Sequence, residues 1–107
     1  MSETTPTYDM PCLSSVQAVV DTFNGKWSFL VLEELHAGTM RFNELQRSLG
    51  ASTKSLTTTL RHLEECGIVH REAKATVPVT VEYSLTEKAI AFDAVLIAMK
   101  EWATAWA

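Results

Sequence analysis

The sequence predicts a mainly α-helical single domain with one β-hairpin near its C-terminal third. Three observations carry that fold class. Apolar residues recur at spacings of three and four from Leu13 to Leu63, one face of a helix in each segment. After Gly67 the pattern changes to alternation, with Val81, Tyr83 and Leu85 two apart, as in a strand with one buried side. From Thr86 the helical spacing returns and holds to the end. A chain of 107 residues, 47% hydrophobic and 21% charged, suits one domain around a small core and not a disordered segment.

The elements follow in order. Residues 1–12 read as a tail, because Pro6 and Pro11 oppose helix. They lack the basic start and apolar stretch of a secretory signal, and no apolar run is long enough to span a membrane, so a cytoplasmic location is the default. From Ser14 or Ser15 a first helix carries Val16, Val19, Val20 and Phe23 and ends near Asn24-Gly25. "KWSFLVLEELHAG" is a second helix, apolar at Trp27, Leu30, Val31 and Leu35 and closed by Gly38. "RFNELQRSLG" is a short third helix burying Phe42, Leu45 and Leu49, with Gly50 as terminator. The fourth, "STKSLTTTLRHLEECG", has Ser52 as its N-cap and Leu56, Leu60 and Leu63 on one face. "IVHRE" and "TVEYSLT" form the hairpin, whose tip holds Pro78, a residue excluded from central strands. Thr86 caps a last helix over residues 86–107.

The fourth helix is unusual in composition, since Ser and Thr hydroxyls compete for backbone groups and are mediocre in helices. At 100° per residue, Lys54, Thr58, Arg61 and His62 fall opposite the leucines, flanked by Ser55 and Thr57. Short helix, tight turn, second helix and two-stranded wing make a winged helix-turn-helix, flanked here by N- and C-terminal helices. The second helix of such a unit enters the DNA major groove. Hydroxyls permit close approach and bond phosphates or base edges, and Arg reads guanine or holds phosphate. Net charge is −4, but its distribution is uneven. Residues 1–40 carry one Lys against five acids, whereas residues 41–74 carry six bases against four acids. A local positive field attracts phosphate despite an acidic total. The candidate DNA-binding residues are therefore Arg41, Ser52, Thr53, Lys54, Ser55, Thr57, Thr58 and Arg61, with Arg71 and Lys74 from the wing, and the expected partner is double-stranded DNA.

"GKW", "RFNELQRSL", "KSLTTTLRHLEECGIVHRE" and "VPVTVEYSLT" together resemble the HxlR-type family of bacterial winged-helix transcription regulators, over roughly residues 12–107. The chain departs from the family pattern at Lys74-Ala75 in the wing and at Lys88-Ala89 after "SLTE". The resemblance implies a homodimeric repressor or activator, with some members answering oxidants or electrophiles through a cysteine. Cys12 stands where the family often has one, just before the first helix, a place where helix N–H groups lower a thiol pKa.

The flanking helices carry apolar stripes suited to association, Leu13, Val16 and Val20 in the first and Phe92, Val95, Met99, Trp102 and Trp106 in the last. A two-fold dimer would match a palindromic operator. Two other readings stay open: a regulator answering a small molecule held between Trp27, Phe23 and the terminal helix, or a winged-helix module whose partner is protein. His62, Cys66 and His70 are spaced four apart, but Gly67 breaks the helix between them, so no metal is expected. No nucleophile–base arrangement or phosphate-binding glycine loop is visible, so neither an enzyme nor a cofactor is expected.

Overall fold

A computed structural model describes residues 10–107, with side chains from Ser14 onward. The chain runs through α1 (Met10–Thr22), α2 (Ser28–Leu35), β1 (Met40–Arg41), α3 (Phe42–Leu49), α4 (Thr53–Glu65), β2 (Val69–Lys74), β3 (Thr80–Leu85), α5 (Glu87–Ala91) and α6 (Asp93–Trp106). It is a mainly helical winged helix-turn-helix with a three-stranded antiparallel sheet in the order β1-β3-β2.

The core lies where α2, α3 and α4 meet the sheet. Val31, Leu32 and Leu35 of α2 pack with Leu45 of α3, with Leu56, Leu60 and Leu63 of α4, and with Ile68, Val69 and Tyr83. All are buried, and they supply most of the apolar area that holds this unit together. Two caps fix α4 and α5. The Ser52 hydroxyl accepts from the Ser55 N–H at 3.1 Å, and the Thr86 hydroxyl accepts from the Ala89 N–H at 3.2 Å, each satisfying a first-turn donor. At the far end of α4, Gly67 adopts φ 77, and Lys88 Nζ donates to the Cys66 carbonyl at 2.7 Å. Lys88 thus satisfies one of the carbonyls that the helix end leaves open.

The structure corrects four expectations. Helix α1 begins at Met10, so Met10, Pro11 and Cys12 are helical and not part of a tail, while residues 1–9 lie outside the described residues. Pro11 fits because a first-turn residue needs no N–H for an intrahelical bond. Helix α2 is shorter than its apolar pattern suggested, with Trp27 as N-cap, and Leu32 is buried where Leu30 was expected. Its buried stripe turns toward α3, α4 and β3, which leaves Phe29 and Leu30 facing outward. The wing is joined by a third strand, Met40 pairing with Tyr83 and Arg41 with Glu82. The last helix is two, α5 and α6, with Phe92 between them. That change of direction lets the Phe92 ring stack on Phe23, at 4.6 Å between centroids, and Phe23 stacks in turn on Phe29 at 4.9 Å.

Candidate nucleic-acid interface

The turn between α3 and α4 is built by one backbone conformation. Gly50 closes α3 at φ 70, a region that costs a residue with a Cβ more than it costs glycine. Ala51 is then buried, and Ser52 starts α4. Gln46 Nε2 donates to the Thr53 hydroxyl at 2.9 Å, tying α3 to the first turn of α4. Arg41 precedes α3, its N–H donating to Glu44 Oε1 at 2.8 Å. The orientation of α4 is thus set from its leucine side and its first turn, leaving the opposite side free.

On that free side Ser52, Thr53, Lys54, Thr58 and Arg61 are exposed, and Ser55 and Thr57 are half-buried at its flanks. Among the described residues, Arg41, Lys54, Arg61 and Arg71 make no ion pair. Lys74 does, with Glu82 Oε1 at 3.5 Å. The strand register puts Arg71 opposite Tyr83 and Lys74 opposite Thr80, so the two wing bases leave opposite faces of the ribbon. Beyond Lys74 the tip exposes Val77 and Val79.

His62 does not belong to the free side. Its Nε2 lies 3.0 Å from the Asp21 carbonyl and 3.1 Å from that of Thr22, both at the C-terminus of α1. Two acceptors require the proton on Nε2, and His62 thereby caps α1. Cys66 Sγ lies 3.7 Å from the same nitrogen, whose proton is already directed to carbonyls, so His62 cannot act there as the thiol's base.

One functional candidate escaped the sequence reading. Lys26 lies in the loop before α2, and its Nζ sits 4.7 Å from the centroid of the Trp27 ring. A cleft of about 640 Å³ runs from this loop to the flank of α4, with Lys26 and Trp27 on one side and Lys54, Ser55 and Thr58 on the other. The available signal was that Lys26 is the one base in residues 1–40, inside the "GKW" motif.

The flanking helices present a different surface. Val16 and Val20 of α1 and Val95, Met99, Trp102 and Trp106 of α6 are exposed, the two tryptophans at 69% and 78%. Phe92, expected on that stripe, instead packs within its own chain against Phe23, because the break before α6 turns it inward. The side chains of Cys12 and Leu13 lie outside the described residues. Trp27 and Phe23 do not share a cavity. Trp27 lines the cleft beside α4, and Phe23 lines a separate space of about 220 Å³ with Phe29, Phe92 and Met99. These are two cavities of one chain, whereas the expected effector site lay at the seam between two chains.

His36 joins the body to α6. Its Nδ1 is 2.9 Å from the Leu32 carbonyl and its Nε2 is 2.6 Å from Asp93 Oδ1. Both neighbours only accept, so both bonds together need the imidazolium form. The Leu32 carbonyl, and after it the Asp93 carboxylate, hold the His36 pKa above its ordinary value, against a smaller opposing effect of burial.

Residues 22–107 match the HxlR-like helix-turn-helix family. An HTH-type transcriptional regulator of Synechocystis sp. is 42% identical over 102 residues, spanning 94% of this chain and 76% of that one. Among solved structures, the oxidized form of the redox regulator HypR superposes with a TM-score of 0.74 at 39% identity, covering 85% of this chain and 95% of that one. The reduced form of the transcriptional regulator YodB from B. subtilis gives a TM-score of 0.80 at 32% identity, covering 86% of this chain and 91% of that one. Among the described residues, no helix is long and apolar enough to cross a membrane.

Proposed function

This chain belongs to the HxlR-like helix-turn-helix family and is an HTH-type transcriptional regulator, not an enzyme; from that premise we propose that it binds a palindromic operator as a homodimer, with α4 in the major groove. One observation carries the reading. Helix α4 buries all three leucines while Lys54 and Arg61 remain exposed and unpaired among the described residues. Unpaired bases on a helix backed by a rigid core lose no internal partner on meeting DNA. Thr57, Thr58 and Ser55 let the helix approach base edges, and Ser52, Thr53 and Arg41 stand near the ends of the turn motif, where phosphates are reached. In the wing, Arg71 serves as the free phosphate contact, and Lys74 must first exchange Glu82 for phosphate.

Association through α1 and α6 accounts for their exposed apolar stripes, Val16 and Val20 facing Val95, Met99, Trp102 and Trp106 across the two-fold. Such a dimer sets two α4 helices in successive grooves about 34 Å apart. Cys12, in the first turn of α1, is the thiol proposed to receive oxidants or electrophiles. Its chemistry would act where two α1 helices meet, and so on half-site spacing. The resemblance to HypR, a redox regulator, supports this assignment.

The test begins with a duplex recovered by selection from random sequence. The parent, the Lys54→Ala/Arg61→Ala double variant and Cys12→Ser are titrated into it by fluorescence anisotropy, with and without hypochlorite. The double variant should bind at least about tenfold more weakly, as loss of base and phosphate contacts implies. Parent-like affinity there removes α4 from the groove. A Cys12→Ser protein that still answers hypochlorite as the parent does removes Cys12 from sensing.

A further inference from the structure

We propose that the cleft between the α1–α2 loop and α4 receives a backbone phosphate of duplex DNA, with Lys26 as its principal cation. The inference rests on the placement of α4 in the major groove proposed above and adds a contact from outside the helix-turn-helix. The major groove is about 12 Å wide, so a helix lying in it is bordered on its flanks by phosphates. Lys26 stands beside the flank of α4 that carries Ser55, Thr59 and His62, since the cleft it lines runs from those residues to Lys54 and Thr58 at the edge of the outer face. A group so placed meets the sugar–phosphate backbone while Arg61 faces the groove floor.

The chemistry of the cleft suits a phosphate. Two lysines, Lys26 and Lys54, and four hydroxyl residues, Ser28, Ser55, Thr58 and Thr59, line it, supplying the charge and donors that phosphate oxygens accept. Lys26 is exposed and makes no ion pair among the described residues, so no internal carboxylate has to be displaced. Its ammonium is held 4.7 Å from the Trp27 ring, and Trp27 is itself packed against the core. That contact restricts a long side chain before DNA arrives, reducing the ordering cost on binding. The carboxylate lining the cleft, Asp21, already accepts from Gln17 Nε2 at 3.0 Å. The N-cap of α2, Trp27, makes no side-chain cap hydrogen bond, so the positive end of that helix adds to the field of the cleft.

A phosphate contact has a signature distinct from base reading. Each one releases counterions, and removing it flattens the plot of log affinity against log salt by about 0.9. Lys26→Gln, Lys26→Arg and Arg61→Ala are compared with the parent on the selected duplex between low and moderate salt. Lys26→Gln should lose about 0.9 of slope per protomer with base preference unchanged, and Lys26→Arg should keep the parent slope. A parent slope in Lys26→Gln, or an altered base preference, overturns the inference. If Arg61→Ala is weakened while Lys26→Gln is not, the cleft is empty of phosphate and α4 still enters the groove. If neither variant is weakened, or the parent binds no duplex, both readings fall.

Discussion

Helices α4 and α6 are nearly equal in length, 13 and 14 residues, yet α4 buries Leu56, Leu60 and Leu63 whereas α6 buries none of its residues. Both repeat apolar residues at spacings of three and four. The difference is whether the chain itself supplies the opposing surface. Helix α4 meets α2 and the sheet, which complete its apolar face and turn its polar face outward. Helix α6 leaves the body after Phe92, and the Cα radius of gyration is 16.9 Å against about 13 Å for a compact chain of this size. An apolar face completed within the chain makes a core. The one left open is the face on which the proposed dimer would close.

The largest expected effect falls on the completed face. Leu60→Ala should lower the unfolding free energy by about 2–5 kcal/mol, measured by urea denaturation, since the site is closely surrounded and collapses poorly. That loss should be the same at every protein concentration. Concentration dependence would mean that α4 also draws stability from association.

An intermediate effect is expected on the open face. Replacing Trp102 and Trp106 together by Ser should raise the dimer dissociation constant at least about tenfold in sedimentation, because these rings carry large apolar area. Unfolding of the separated chains should barely change. If the variant remains as dimeric as its parent at micromolar concentration, the two helices differ in exposure but not in role.

The smallest effect concerns the joint between the two regions. The His36–Asp93 pair has a His pKa raised in the folded state, so its stabilisation is complete below the ordinary imidazole value of about 6.5. It is lost as pH rises through the higher folded value. Both side chains are more than a third exposed, which keeps the contribution small. Parent stability should therefore decline between neutral and mildly alkaline pH more than that of Asp93→Asn. Equal pH profiles would show that the joint adds nothing to the placement of α6.

Much of the domain was legible because local chemistry and tertiary need agree there. Ser52, Gly50 and Thr86 mark boundaries through hydrogen bonds or backbone conformations confined to a few residues, and the structure places caps and a turn at those positions. The leucine spacing of α4 needed only one packed side. Legibility failed where a residue's role depends on a distant segment. A two-residue strand such as Met40–Arg41 has no periodicity to read and exists only because β3 lies beside it. His62 sat on the polar arc of its helix, and only the end of α1 gave it carbonyls to cap.

The sequence by itself determined the order of the first four helices and the hairpin, the inner face of α4 and the presence of unspent apolar stripes, because these follow from spacing along one helix or strand. Only the tertiary structure decided that Phe92 turns inward while Trp102 and Trp106 stay out, and that Lys26 joins the flank of α4. It also decided that β2 reaches Lys74, which puts Lys74 in the ladder opposite Thr80 on the other face of the wing from Arg71. The physical reason is that periodicity says which residues share a face, whereas the angle at which elements meet decides what, if anything, that face touches.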